Sequence, residues 1–406
     1  VRRLWPLTLR GTGALLLAIA AFVVAQRAGI PELMYFGTLL AALLAGSAAA
    51  LLLVRDAVAV TRAVSPDVPE VGASATIVVR AGLRSALPAP AGRWRDELPS
   101  GLDGRAEGTF PVAAAVTLRY EVVGTIRGVH ALGPLEVTVT DPFGLVRRRV
   151  RLGRTTPVTV SPAVVDLAPL VSTPGEAGGT RQTAALQLGQ GADNLVARPY
   201  APGDSMRRIH WRATAHRDTL MVRQEEQESS PAATVVFDRA VSRWSPSAAE
   251  APGRDPAFET AVTACVSTLA RLVHEGFTVD VVDSDGTLLI EPVEGGDDPA
   301  ARACAALFAT LTARPDDASR RVLPASATAL LGPLVVITGV LLDDDRALLG
   351  AAAQRSGLPL LLVVDERADL DVLRRAGWRA AVLPPGGDVA AGWDDAIEQG
   401  YARVGR

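Results

Sequence analysis

The sequence predicts a multidomain α+β membrane protein. It reads as an N-terminal two-helix transmembrane hairpin, an antiparallel β-sandwich-like domain and a C-terminal three-layer α/β domain. Three observations predict this. Two long apolar runs lie within the first 54 residues, short alternating runs fill 62 to 162, and strand-like and helix-like runs alternate from 234 onward. With 406 residues the chain has room for two or three domains.

The hairpin comes first, over residues 1–62. Met34 to Val54 is uncharged and of roughly the length, about 20 residues, that spans the hydrocarbon core as a helix. Gly11 to Ala25 is shorter and reaches spanning length, to about residue 28, with Gln26 and Arg27 at the interface. Gly29, Ile30 and Pro31 break the chain between them. Arg2, Arg3, Arg10, Arg55 and Arg62 flank the pair, and only Arg27 lies between the spans. Positive charge on both outer flanks predicts a multi-pass protein of the cytoplasmic membrane with its soluble domains facing the cytoplasm. A cleaved signal peptide followed by a stop-transfer span is the competing reading, and it leaves the bulk on the same side.

Residues 63–163 read as strands. SATIVVR (74–80), VAAAVTLRYEVV (112–123), GPLEVTVTD (133–141), LVRRRVRL (145–152) and PVTVSP (157–162) are short, β-branched and punctuated by Gly, Pro and Asp. LEVTVT alternates as a strand with one wet face does. Pro142-Phe143-Gly144 reads as a turn whose Phe143 plugs the core. Residues 164–197 are rich in Gly, Ala, Thr and Gln and read as a linker or loop.

The C-terminal part, 229–406, alternates strand and helix. TVVFD (234–238), FTVDVVDSD (277–285), PLVVIT (333–338), LPLLLVVDE (358–366) and WRAAVL (378–383) are strand runs, several as continuously apolar as buried parallel strands are. Helical spacing over 258–275, 299–313, 343–356, 368–376 and 391–403 separates or follows them. That order predicts a sheet with helices on both faces.

Most chemistry is excluded by composition and motif. A net charge of −3 does not suit a chain-wide nucleic-acid binder. The Ala-, Arg-, Gly- and Pro-rich, Lys-poor composition reads as high-GC bacterial codon usage. The two cysteines, Cys265 and Cys304, sit in apolar helical patterns as buried thiols. No phosphate loop, dinucleotide fingerprint, nucleophile elbow or H-E-x-x-H occurs. Of the four histidines, His130 and His274 are isolated and structural, while His210 and His216 are six apart on different helix faces. The first α/β strand ends in Asp238-Arg239-Ala240-Val241-Ser242. Asp238 and Ser242 could offer hard oxygens to Mg²⁺, but Ala240 removes the middle ligand. Asp238 is therefore a degenerate candidate; no metal and no cofactor are expected. Asp283 and Asp285 fit a turn before Gly286.

The chemically dense stretch is 198–228, RPYAPGDSMRRIHWRATAHRDTLMVRQEEQE. Pro202-Gly203 suits a type II turn, and Asp204 can cap a helix over 205–217. Ile209 and Trp211 are the expected apolar anchors; LMVR (220–223) reads as a strand entering an acidic run. Three readings compete. Arg198, Arg207, Arg212 and Arg223 can pair with Asp204 and Glu225 to lock domains together. They can form a basic surface for an acidic partner protein. Or they can bind phosphate, although six arginines are met at once by acids and only Tyr200 and Trp211 interleave. An enzyme reading would need Asp204, His210 and Asp238 to converge; a cell-envelope sensor would need the bulk outside.

The run Arg198, Tyr200, Gly203, Asp204, Arg207, Arg208, His210, Trp211, Arg212, Arg223 and Glu225 resembles the signature of a bacterial family, domain of unknown function 58. RGVHALGPLEVTVTDPFGLVRRR (127–149) resembles its second hallmark. The resemblance implies a C-terminal von Willebrand factor A-like domain. It also implies a MoxR-type AAA+ ATPase and other membrane proteins of the same gene neighbourhood as partners; from the charge, no nucleic acid is expected. The chain is then expected to be a membrane-anchored, non-enzymatic scaffold or adaptor in protein assembly or maturation.

Overall fold

The structure, a computed structural model, describes residues 6–52, 60–82, 92–110, 115–170, 195–199, 206, 209, 211–217, 219–225, 231–316, 321–324 and 332–404. It divides into two units. The first comprises Val1–Val164, Trp244–Val266 and Arg302–Pro315; the second comprises Val165–Arg243, Ser267–Ala301 and Asp316–Arg406.

The first unit opens with α1 (Leu9–Ala28) and α2 (Pro31–Leu52), both long and apolar enough to cross a membrane. Thr8 starts α1 because its hydroxyl accepts from the Gly11 N–H at 3.1 Å. Gly29 ends it in the left-handed region, φ 66°, returning its N–H to Ala25. Pro31 then stands at the first position of α2, where a missing N–H costs nothing. The buried face of α1 is small, Ala18, Ala21 and Ala25, so the two backbones can pack closely.

Among the described residues ten strands follow: β1 (Val60–Ser65), β2 (Ser74–Gly82), β3 (Gly92–Asp96), β4 (Leu102–Gly104), β5 (Glu107–Phe110), β6 (Ala115–Gly124), β7 (Gly128–Leu132), β8 (Leu135–Thr140), β9 (Arg147–Leu152) and β10 (Thr156–Val160). They form sheets ordered β1-β2-β6-β4, β5-β3-β8-β9 and β10-β7, every pairing antiparallel. Period-two burial is plain in β2, where Ala75, Ile77, Val79 and Ala81 face inward. They join Trp94, Tyr120, Val137 and Val139 in one apolar cluster. Phe143 does not plug this core. It is 60% exposed at the tip of the β8–β9 turn, whose centre is held instead by Asp141. The backbone turns on that carboxylate, so the apolar side chain is free to point outward.

The second unit begins with a segment read from sequence as linker. Its first part is anchored: Leu167 and Leu170 are buried, and Ala168 O accepts from Trp393 Nε1 at 2.8 Å. Residues 171–194 of that expected linker lie outside the described residues. β11 (Leu195–Pro199) pairs antiparallel with β12 (Met221–Glu225), with α3 (Trp211–Arg217) between them.

The parallel sheet is built from β13 (Ala232–Phe237), β14 (Thr278–Asp283), β15 (Pro333–Thr338), β16 (Leu358–Val363) and β17 (Arg379–Val382), in the order β14-β13-β15-β16-β17. Its helices are α4 (Pro256–His274), α5 (Asp298–Ala305), α6 (Asp345–Ala353), α7 (Asp371–Ala376) and α8 (Val389–Val404). The division between units passes through α4 and α5. The expected helix over 299–313 stops at Ala305 and tightens into a 3₁₀ segment, Ala306–Thr310. The central strands β15 and β16 are apolar on both faces because both faces are covered; all six residues of β15 are buried, whereas β14 at the edge alternates buried and half-buried residues. The order reverses direction after β14.

Candidate functional site

In an open α/β sheet a ligand crevice forms at the carboxyl ends of the strands, where the strand order reverses. Here that point lies between β13 and β15. The buried run AATVVF carries β13 to its end, and Asp238 is the next residue, wholly buried. Its Oδ2 accepts from Thr338 Oγ1 at 3.1 Å, at the end of β15, and its Oδ1 from the Ala240 N–H at 3.2 Å.

A short 3₁₀ turn, Val241–Arg243, then brings the chain back over this crevice. The Arg243 side chain is fully buried, and its Nε lies 3.1 Å from Asp238 Oδ2. Its Nη2 donates to Asp345 Oδ1 at 3.0 Å, its Nη1 to Asp345 Oδ2, and Nη1 also to the Val340 carbonyl at 3.2 Å. Asp345, at the first turn of α6, is held in turn by the Leu342 N–H at 2.6 Å. One guanidinium thus serves two carboxylates. Burial pushes Asp238 up to about 6, while the Arg243 charge and the bonds from Ser284, Ala240 and Thr338 pull it down.

Asp283 closes the neighbouring strand end. The turn expected before Gly286 is present, with Gly286 N donating to Asp283 O at 2.9 Å. The buried carboxylate does more: it accepts from Ser284 N at 2.7 Å and from Arg239 N at 3.2 Å, tying the end of β14 to that of β13.

A divalent cation at this place, as a von Willebrand factor A-like resemblance implies, does not fit these residues. Position 240 offers no side-chain oxygen. The positive charge that two buried carboxylates require is supplied covalently, by Arg243. Ser242 Oγ is buried and makes no hydrogen bond, and its N–H donates to Asp316 Oδ1 at 2.9 Å.

The Arg-rich signature is only partly placed. Tyr200, Gly203, Asp204, Arg207, Arg208 and His210 lie outside the described residues, as do the side chains of Arg198, Arg212, Arg223 and Glu225. The backbone places Arg198 opposite Val222 and Arg223 opposite Ala197 in the β11–β12 pair, with Arg212 in α3 and Glu225 ending β12. Of the two expected anchors, Ile209 is buried, but Trp211 is 69% exposed. Trp211 opens a short helix whose Ala215, His216 and Arg217 are also exposed, so it stands on a solvent face. Of the proposed enzyme trio only Asp238 is placed, and its oxygens are engaged as described.

Among the described residues no cluster of three or more His, Cys, Asp or Glu is arranged to hold a metal. His130 Nε2 bonds the Ile126 carbonyl at 2.6 Å, and His274 pairs with Asp298. Cys265 is fully buried, Cys304 half-buried, and neither forms a disulfide; desolvation pushes the Cys265 thiol up.

Sequence reading missed Arg243, Asp345 and Arg127. Arg127 is buried within the first unit, donating to Glu259 Oε1 at 2.9 Å and Oε2 at 2.6 Å, and to the Phe308 and Ala309 carbonyls. Its position as the first residue of the second hallmark is the one signal that pointed to it.

The family described as protein of unknown function DUF58 matches residues 196–373, the span that holds both the signature and the Asp238–Arg243–Asp345 cluster. Over that span the chain is similar to the DUF58 family. An uncharacterized protein of Bacillus subtilis, YeaD, is 24% identical over 241 residues, an alignment covering 57% of this chain and 57% of YeaD. A cohesin module from a Clostridium perfringens family 33 glycoside hydrolase is 13% identical, covering 26% of this chain and 96% of that one at a TM-score of 0.19. The cupredoxin domain of amoB from Nitrosocaldus yellowstonii is 12% identical, covering 24% and 64% at a TM-score of 0.14.

Proposed function

We propose that this chain is a membrane-anchored, non-enzymatic scaffold or adaptor of the cytoplasmic face. In this reading its antiparallel strands form a sandwich-like platform. Its parallel sheet is a von Willebrand factor A-like domain, and its partner is a MoxR-type AAA+ ATPase that assembles or matures other proteins. One observation carries the reading. The crevice where a sheet of this order would hold a ligand is filled from within, by Arg243 bonded to Asp238 and Asp345. A site already occupied by a guanidinium of its own chain is suited to holding a shape for docking. Support for docking comes from Trp211, Met206 and Leu220, all exposed and all in or beside the family signature. Lone exposed apolar residues are ordinary; three so close in sequence within an Arg- and His-rich segment offer a partner something to grip.

The test is a photo-crosslinking amino acid in place of Trp211, in the full chain within its native membranes. The expected result is an adduct with an AAA+ ATPase that changes in yield when ATP is depleted. Wild-type abundance with no such adduct overturns the partnership.

A further inference from the structure

The β8–β9 turn, Asp141 to Leu145, is bonded to the start of α1. The Thr8 N–H donates to Leu145 O at 2.8 Å, and Thr8 Oγ1 donates to Gly144 O at 2.5 Å. Arg147 N donates to Pro6 O at 2.7 Å, and Leu7 and Val146 form an antiparallel bridge. The approach is so close that a Cβ on Gly11 would lie 1.9 Å from Leu145 O, which only glycine allows. The other helix is held by the same hairpin: Arg148 Nη1 donates to Leu51 O at 3.0 Å, at the end of α2. One β-hairpin therefore grips both outer ends of the apolar helix pair.

Helix length fixes the depth of this grip. α1 has 20 residues. At about 1.5 Å per residue that is about 30 Å, the thickness of the hydrocarbon core with no length to spare. Thr8 must then stand at the boundary between acyl chains and headgroups, and the turn bonded to it stands there too. The turn is built for that position. Asp141 is buried and satisfies the N–H groups of Phe143 at 3.0 Å, Leu145 at 2.7 Å and Val146 at 2.6 Å, so these turn donors do not face lipid unpaired. Phe143, at the tip, is 60% exposed, and Leu9 beside the cap is 94% exposed. Arg10 and Arg147 are exposed in the same neighbourhood, the Arg10 guanidinium beside Gly144. An apolar ring and an apolar chain among arginines is the composition that binds an anionic membrane surface.

We propose that the Asp141–Leu145 turn is an interfacial membrane anchor, with Phe143 and Leu9 entering the headgroup–acyl boundary and Arg10 and Arg147 meeting anionic headgroups. The turn thereby sets how the first unit is held against the bilayer. This rests on α1 and α2 spanning the membrane, and the experiment separates the two claims.

Nitroxide labels are placed by cysteine substitution in the full chain carrying Cys304→Ser, the buried Cys265 being left in place. The labelled variants are Phe143→Cys, Arg147→Cys, Leu17→Cys in mid-α1 and Arg105→Cys on an exposed loop. Each is reconstituted in phosphatidylcholine–phosphatidylglycerol vesicles, and collision with oxygen is compared with collision with a water-soluble nickel chelate. The ratio at 143 is expected to exceed that at 105 by about threefold, with 17 deeper still and 147 between 143 and 105. Lipid-like readings at 17 with water-like readings at both 143 and 147 overturn the anchor while the hairpin stands, and leave the turn to a protein partner. Water-like readings at 17 overturn both.

Discussion

Two buried arginines hold the two units, and they are matched to their carboxylates differently. In the first unit Arg62 on β1 meets Asp96 on β3 as fork to fork, Nε to Oδ2 at 2.9 Å and Nη2 to Oδ1 at 2.8 Å. Both side chains are wholly buried, and the Tyr120 hydroxyl adds a bond to Asp96 at 2.7 Å. That link joins the two four-stranded sheets with one positive and one negative charge. In the second unit Arg243 is shared between Asp238 and Asp345, so one negative charge is in excess. The difference shows in titration. Tyr120 is pushed up, by desolvation and then by the Asp96 charge, and so stays protonated throughout the usual range. Asp238 is pushed up to about 6, inside the range a cell visits. Where one guanidinium serves two buried carboxylates, geometry comes to depend on protons.

The comparison breaks most sharply at its two arginines. Arg243→Ala strands two buried carboxylates and is expected to cost about 5 kcal/mol, the upper end for breaking a buried pair. The measurement is thermal melting of the detergent-solubilised full chain, with membrane abundance beside it. Arg62→Ala strands Asp96 alone, which keeps the Tyr120 hydroxyl, and should cost about 3 kcal/mol in the same assay. Equal losses for the two variants would mean that charge balance is not what separates the sites. Tyr120→Phe sharpens the point. It removes a single bond to a carboxylate that retains both Arg62 contacts, an expected loss of about 1.5 kcal/mol.

What the sequence made legible was whatever repeats locally. The apolar runs at 234–238, 333–338 and 358–366 became β13, β15 and β16 because a strand covered on both faces leaves an unbroken signature. Helical spacing over 258–275 became α4 for the same kind of reason. The paired charges were illegible. Arg243 and Asp345 are 102 residues apart, and a guanidinium that must reach across such a loop leaves no period to read. Asp238 was visible as a strand-end acid, but its partner lay five residues on, hidden among the arginines of an Arg-rich chain. Phe143 and Trp211 misled in the opposite sense. Large apolar side chains were assigned to the core by type, whereas both sit on turns or helix starts whose backbone is held by other residues. The strand Leu195–Pro199 was missed because it emerges from a Gly-, Ala- and Gln-rich run, where only its pairing with β12 defines it.

The smallest effect tests the charge imbalance itself. An unfolded aspartate releases its proton near 3.8, and Asp238 in the folded chain does so near 6. Between those values the folded state holds a proton that the unfolded state has lost. Stability from this group is therefore fully present below 3.8 and is lost as pH rises through about 6. Going from pH 5 to pH 7 should cost about 1 kcal/mol through Asp238 alone. Asp238→Asn carries no titrating proton at that position, so its melting temperature should lose this component of the slope while Arg243 keeps Asp345 as a single, balanced partner. Identical slopes for wild type and Asp238→Asn between pH 5 and 7 would show that the excess charge at the strand ends is relieved by some other group, and the contrast between the two arginines would then be one of geometry alone.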